Sequence, residues 1–202
     1  MKRILICQIL NKDDYGELRT KLDVRLVSFI ADCGFLPIPI PVYNHKSRVK
    51  IKNYLYSWLN EMKPDGIVLS GGGNIYKKSL RFFIEKLLIK YSLSKSISIL
   101  GICRGMQAIV VNYGGALKKI KNHVNTSHYI YSNKNKIKVN SYHKFAVPKC
   151  PRNFEILYKS KEEHIESLKH KSKNIYGWMW HPERGSFSKE FHKKNFKKIF
   201  SR

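Results

Sequence analysis

Acidic residues are scarce in this chain. Fourteen Asp and Glu stand against 39 Lys and Arg in 202 residues, a formal charge of +25 with His neutral. Cysteine is also sparse. Cys7, Cys33, Cys103 and Cys150 form no Cys-x-x-Cys pair and lie far apart, which excludes a zinc ribbon or a disulfide-built miniprotein and predicts a reduced, cytoplasmic chain. No apolar run approaches the ~18–20 residues that a membrane span needs, so no membrane partner is expected. The early apolar stretch Ile4-Leu5-Ile6-Cys7 is cut short by Gln8 and then by Asn11-Lys12-Asp13-Asp14, and no secretory signal is predicted. Hydrophobic residues nevertheless make up 43%, too many for a disordered polycation, and the length can enclose a sizeable core.

The surplus of positive charge admits two readings. An anionic partner is one: nucleic acid, a membrane surface or a phosphorylated substrate. The other is a solvated surface in a chain rich in Lys, Asn, Ile, Ser and Tyr. The lysines fall in pairs on expected helix faces and loop tips (Lys77-Lys78, Lys118-Lys119, Lys193-Lys194, Lys197-Lys198) rather than in one block. No helix-turn-helix, zinc finger or aromatic RNA-binding strand motif accompanies them. The solvated surface is the favoured reading, and nucleic acid is not the expected partner.

Short apolar runs alternate with amphipathic stretches, the pattern of a parallel sheet wrapped in helices. Strands are expected at 3–10, at the proline-punctuated 35–41 (an edge, because each Pro removes a ladder donor), at 66–70 and at 97–102. Helices are expected at 20–33 with Gly34 as a stop, at 48–62, at 78–91, and from Cys103 to Gly114-Gly115. Past Gly115 the texture changes: residues 126–160 alternate apolar with polar, as antiparallel strands do. A brief helix at 162–170, a last strand at 174–180 and a helix from about Phe187 complete the reading. No linker or repeat divides the chain, so one domain over 1–202 is expected.

Three segments carry chemistry, each ending or following a strand, where sites form in such sheets. In Gly101-Ile102-Cys103-Arg104-Gly105-Met106-Gln107, glycines two before and two after Cys103 fit a sharp strand-to-helix turn that projects the thiol at its apex. The positive end of the helix dipole there favours thiolate. In Trp178-Met179-Trp180-His181-Pro182-Glu183, His181 can serve as base and acid, Pro182 keeps it extended, and Glu183 can fix its tautomer. In Ser70-Gly71-Gly72-Gly73-Asn74, glycines at a strand end free backbone N–H groups for an oxyanion. His123 and His128 are five apart with no acidic or thiolate partner nearby in sequence. No metal site is assigned to them. Cys7 and Cys150 read as core and loop residues.

Together, Gly-Ile-Cys-Arg-Gly-Met-Gln, the later His-Pro-Glu and the Gly-rich strand end resemble the class I glutamine amidotransferase superfamily over nearly the whole chain. Cys-Arg-Gly-x-Gln is similar to the branch of free-standing γ-glutamyl hydrolases. Val139-Asn140-Ser141-Tyr142-His143 resembles that branch's Val-Asn-Ser-x-His segment. Cys33-Gly34-Phe35-Leu36-Pro37 is similar to its helix-to-strand step, with Cys33 in place of the first glycine. The resemblance implies an α/β, three-layer α/β/α flavodoxin-like fold, with a mostly parallel central sheet and an antiparallel extension in the C-terminal half. It implies Cys103 as nucleophile, His181 as base and acid, and Glu183 as orienter. Gly72 or Gly73 with Arg104 would supply oxyanion N–H groups, the glycine run permitting two registers. Gln107 would contact the α-carboxylate or amine of the glutamyl group, and Asn140, Ser141, Tyr142 and His143 would border that pocket. Neither a cofactor nor a metal is implied.

The expected reaction is hydrolysis of a γ-glutamyl amide, a small-molecule substrate, through a glutamyl thioester. The resemblance and the basic charge favour a leaving group that is an anionic nucleotide diphosphate, met at the mouth by Arg104, Lys144 and Arg184. Two rivals stay open. A glutaminase subunit would hydrolyse free glutamine only when a synthase partner binds. A basic nucleic-acid-binding protein on a degenerate scaffold would show steep salt dependence and indifference to Cys103→Ala. Oligomeric state is not legible.

Overall fold

The short runs of β-branched and aliphatic residues are strands, and the amphipathic stretches between them are helices. The structure, a computed structural model, describes residues 1–185 and 187–201. In chain order the elements are β1 (Arg3–Cys7), β2 (Ile9–Lys12), β3 (Leu18–Lys21), α1 (Val24–Asp32), β4 (Leu36–Pro39), α2 (Arg48–Met62), β5 (Gly66–Leu69), α3 (Leu80–Lys95) and β6 (Ser98–Ile102). Then follow α4 (Arg104–Asn112), β7 (Lys118–Lys119), β8 (Val124–Tyr131), β9 (Lys136–Tyr142), β10 (Phe145–Ala146), β11 (Phe154–Ser160), β12 (Ile165–His170), β13 (Ile175–Trp178) and α5 (Lys189–Phe200).

Nine strands form the main sheet, in the order β4-β1-β5-β6-β13-β12-β11-β8-β9. The first five are mutually parallel, and the rest extend the sheet antiparallel. Alternation along the strands divides the core between two faces. Leu5, Ile67 and Ile99 pack with Ile51, Leu55, Leu88 and Ile109 from α2, α3 and α4. Ile4, Ile6, Val68 and Leu100 pack with Leu26, Ile30, Phe196 and Phe200 from α1 and α5. These are the three α/β/α layers read from the sequence. Proline-rich β4 lies at the sheet's edge, as expected.

Four boundaries differ from expectation, each for a local reason. The first strand stops at Cys7, and Ile9 opens a separate hairpin of β2 with β3 in which Leu10 pairs with Thr20. The helix expected from Thr20 therefore begins at Val24, where the Asp23 carboxylate caps the Arg25 N–H at 3.0 Å. The third helix starts two residues later than expected and runs to Lys95, its first turn capped by Ser79 accepting from the Phe82 N–H. The expected helix over 162–170 is corrected: Ile165–His170 is strand β12, paired antiparallel to both β11 and β13. Among the described residues no helix is long and apolar enough to cross a membrane.

Candidate active site

Strands β5, β6 and β13 are parallel neighbours, so their carboxyl ends meet at one rim. The Gly71–Gly73 run, Cys103 and His181 follow these three ends, which brings together segments more than 100 residues apart in sequence. Cys103 sits between β6 and α4 with φ 50° and ψ −106°, a conformation costly for a residue with a side chain. Its N–H donates to the Trp178 carbonyl at 2.7 Å, locking the bend to β13. The flanking glycines are required by close approach. A Cβ at Gly101 would strike the Gly105 backbone, and one at Gly105 would strike the Leu69 carbonyl.

His181 is buried, and its Nδ1 lies 2.6 Å from Glu183 Oε1. Desolvation pulls the imidazole down. Hydrogen bonds to Cys103 and Glu183, with the charges of both, outweigh it and raise His181 to about 9. The ring is therefore held as imidazolium between sulfur and carboxylate. Burial first, then Glu85, pushes the nearby Cys7 thiol up to about 12.

A cavity of about 260 Å³ opens on these groups, walled by Gly72, Gly73, Cys103, Gln107, Tyr142 and His143, with Lys144 and Arg184 beside them. A larger hollow, about 890 Å³, opens beside Tyr131, Tyr158 and Lys159 and contains no cysteine or histidine. Gln107 donates through Nε2 to the Phe145 carbonyl at 3.3 Å and contacts the Met179 sulfur. Its Oε1 is thereby left as an acceptor. The Tyr142 ring stands edge-on to His181, with centroids 5.8 Å apart, and carries the Arg184 guanidinium at 5.2 Å.

Two residues expected at the pocket are placed elsewhere. Asn140 does not reach the cavity wall. Its Oδ1 accepts from the His181 N–H at 2.9 Å, while Nδ2 donates to the carbonyls of His181 and Arg184. It clamps the segment that carries the imidazole. Ser141 is fully buried and donates to the His123 carbonyl at 2.8 Å. The expectation that the Arg104 side chain faces a diphosphate is corrected as well: its guanidinium is buried against Glu85 and also reaches the Asn74 carbonyl. A charge with no route to water needs a partner of opposite sign inside the protein, and Glu85 is that partner.

Other contributors escaped sequence reading. Arg81, buried, donates to the carbonyls of Ser70 (2.7 Å), Gly71 (3.0 Å) and Gly72 (2.6 Å), and its Nε lies 3.2 Å from Glu85. In a trans peptide the N–H points opposite the C=O. Arg81 therefore turns the N–H groups of Gly71, Gly72 and Gly73 away from itself. Gly71 lies under the His181 ring, where an added Cβ would come within 2.5 Å of Cε1. The Arg81-x-x-x-Glu85 spacing, one helical turn on α3, is the signal that could have drawn attention.

His123 and His128 also acquire the acidic neighbour that the sequence did not show. Glu166 of β12 lies 3.5 Å from His128 Nε2 and 3.7 Å from His143 Nε2. Burial holds His143 well down, at about 4.

A doubly wound sheet with a thiol at a strand-to-helix bend and a His–Glu pair on the neighbouring strand end is an arrangement that can carry cysteine-dependent acyl transfer. The family model described as glutamine amidotransferase class-I matches residues 32–200, and the chain belongs to that family. Among curated relatives it is 37% identical over 125 residues to a γ-glutamyl-CDP-amidate hydrolase of Campylobacter jejuni. That match covers 58% of this chain and 62% of the relative, less than two thirds of its length. It is also 36% identical over 161 residues to a glutamine-hydrolyzing GMP synthase subunit of Methanosphaera stadtmanae, covering 70% and 83% of the two chains. Among solved structures, a GMP synthase subunit-type protein of Thermoplasma acidophilum shares the fold with a TM-score of 0.71 at 20% identity, covering all of this chain and 93% of that one.

Proposed function

We propose that this chain hydrolyses a γ-glutamyl amide through a thioester on Cys103, and that its substrate is γ-glutamyl-CDP-amidate, yielding L-glutamate and cytidine diphosphoramidate. The observation that carries the hydrolase reading is the set Cys103–His181–Glu183, with the thiol on the strained bend and the imidazole held between sulfur and carboxylate. Cys103 sulfur attacks the γ-carbonyl carbon. The oxyanion rests on N–H groups of Gly72 or Gly73 and on the N–H of Arg104, which opens α4 and has no intrahelical acceptor. His181 gives its proton to the amide nitrogen as the C–N bond breaks. It then takes a proton from water, whose oxygen attacks the thioester, and keeps that proton as the C–S bond breaks and glutamate leaves, ready for the next amide. The free Oε1 of Gln107 suits the glutamyl α-ammonium.

For the leaving group, support comes from the similarity to the Campylobacter hydrolase and from Lys144 and Arg184 beside the cavity. A second reading, a glutaminase subunit serving a synthase, is favoured by the greater coverage of the Methanosphaera GMP synthase subunit. A product assay comparing γ-glutamyl-CDP-amidate, a γ-glutamyl polyamine and glutamine, with Cys103→Ala as control, separates the two. The amidate is expected to turn over fastest. Fastest release of glutamate from glutamine would move the assignment to the second reading.

Two further outcomes follow from the geometry. The departing nitrogen needs the His181 proton, so kcat/KM should fall on the alkaline side with an apparent pKa near 9. Glu183 raises that value through both its hydrogen bond and its charge. Glu183→Gln should therefore move the alkaline limb to lower pH, and a pH–rate profile with an unmoved limb would contradict the role. Gly71→Ala places a methyl against the His181 ring, so kcat should fall about 10²-fold, the size expected of ångström-scale misplacement. The melting temperature should fall as well, because the methyl overpacks a buried ring, at a cost of about 1–3 kcal/mol. Steady-state kinetics beside a thermal melt test both halves.

A further inference from the structure

Behind the wall of the active-site cavity, four side chains from separate elements converge. His123 precedes β8, His128 lies within it, His143 follows β9, and Glu166 projects from β12. The ligand atoms that His123, His143 and Glu166 offer all lie within 4.8 Å of one another. His128 Nε2 is 3.5 Å from Glu166 Oε1, and its ring centroid is 5.1 Å from that of His123. From these placements we propose that His123, His128, His143 and Glu166 form a binding site for a divalent transition-metal ion, with zinc the best match to three imidazoles and one carboxylate.

Independent support comes from polar atoms left without partners. Glu166 is completely buried, and neither of its carboxylate oxygens has a hydrogen-bond partner; the same holds for His143 Nε2 and for both ring nitrogens of His128. A carboxylate withdrawn from water costs several kcal/mol unless compensated, and imidazole lone pairs add to that cost. One cation would satisfy the Glu166 carboxylate, His143 Nε2 and one ring nitrogen of His128 together. The ring of His143 is already set for this. A carbonyl can only accept, so at 3.0 Å from the Phe145 carbonyl its Nδ1 carries the proton. Nε2 is thereby left with its lone pair toward Glu166, as outer-shell partners fix the tautomer in metal sites. Ser141 similarly contacts His123 Nδ1 at 3.3 Å.

Tetrahedral zinc bonds of 2.0–2.1 Å place ligand atoms about 3.4 Å apart. For His123, His143 and Glu166, whose ligand atoms lie within 4.8 Å of one another, and for His128 Nε2, 3.5 Å from Glu166, closing to that spacing calls for side-chain adjustment. A hollow of about 460 Å³, lined by His123, His128, Glu162 and His164, gives the ion a route in. The site would tie β8, β9 and β12 together and hold His143, which walls the catalytic cavity, in place.

The test uses the full chain carrying Cys103→Ala, so that no metal can bind the catalytic thiol. After chelator treatment, Co²⁺ is titrated in and the visible d–d bands are followed, with Zn²⁺ as competitor. The expected result is saturation at one equivalent with the intensity of four-coordinate N/O ligation, and its loss when Zn²⁺ is added. Glu166→Gln and His123→Ala, each added separately to that background and checked for folding by circular dichroism, should weaken binding at least about 100-fold. Absence of a saturable one-equivalent spectrum in the Cys103→Ala chain would overturn the proposal. So would binding that survives unchanged in the two variants. If either variant fails to fold, the titration of the parent and the other variant still decide.

Discussion

Cys103→Ala should abolish glutamate release, lowering kcat by about 10⁴-fold or more, the size of effect seen when one member of a cooperating catalytic set is removed. Neither Cys7 nor Cys33 can substitute. Cys7, the buried thiol near the Arg81–Glu85 pair, is pushed up to about 12, and Cys33, also raised by burial, to about 11. The bend itself offers a second readout. Cys103 holds φ 50° and ψ −106°, a region that costs a side-chain-bearing residue about 1–3 kcal/mol. Cys103→Gly, equally inactive, should therefore melt higher than Cys103→Ala, whose Cβ retains the strain. Equal melting temperatures would mean that the bend stores no strain; residual hydrolysis in both would mean that the sulfur is not the nucleophile.

The bend at Cys103 and the His181–Glu183 pair were legible because the physics that places them is local. Gly101 and Gly105 permit a close strand-to-helix approach that a Cβ would block, and Pro182 holds His181 out of a helix two residues from Glu183. Parallel-strand patterning then brings the ends of β5, β6 and β13 to one rim. Helix starts were misread where a short polar side chain intervened: Asp23 and Ser79 set the first turns of α1 and α3 by capping, and the apolar stripe alone does not register that.

The strand β12 was misread for a different reason. Ile165 and Leu168 are three apart and flanked by charge, which looks like one face of a helix. In the sheet both are buried, yet so are Glu166 and Ser167 between them, because both faces of the strand are covered. Burial on both sides erases the alternation that would have revealed it. The same placement sends Glu166 into the histidine cluster. Contacts that depend on such pairing, Glu166 with His143 or Asn140 with His181, join residues more than 20 apart, and no local pattern encodes them.

Arg81→Lys should separate positioning from folding at the oxyanion loop. The guanidinium of Arg81 spans the carbonyls of Ser70, Gly71 and Gly72 while facing Glu85, which Arg104 also contacts. Lysine keeps the positive charge beside Glu85, so the buried carboxylate is not left with Arg104 alone, and the melting temperature should fall only modestly. A point-like ammonium cannot reproduce a planar fork over three acceptors. The glycine peptides should then lose their fixed orientation, and the N–H groups on which the oxyanion rests should no longer be aimed in advance. That predicts a kcat decrease of about 10²–10³, as for loss of an oxyanion donor, with KM little changed. Arg81→Met, by contrast, removes one of the two cations paired with Glu85 and should destabilise the fold by about 3–5 kcal/mol as well. Kinetics and denaturant melts on the two variants distinguish the effects. If Arg81→Lys keeps kcat while Arg81→Met loses stability, Arg81 only neutralises Glu85; if both lose kcat, the arginine shapes the loop that receives the developing negative charge.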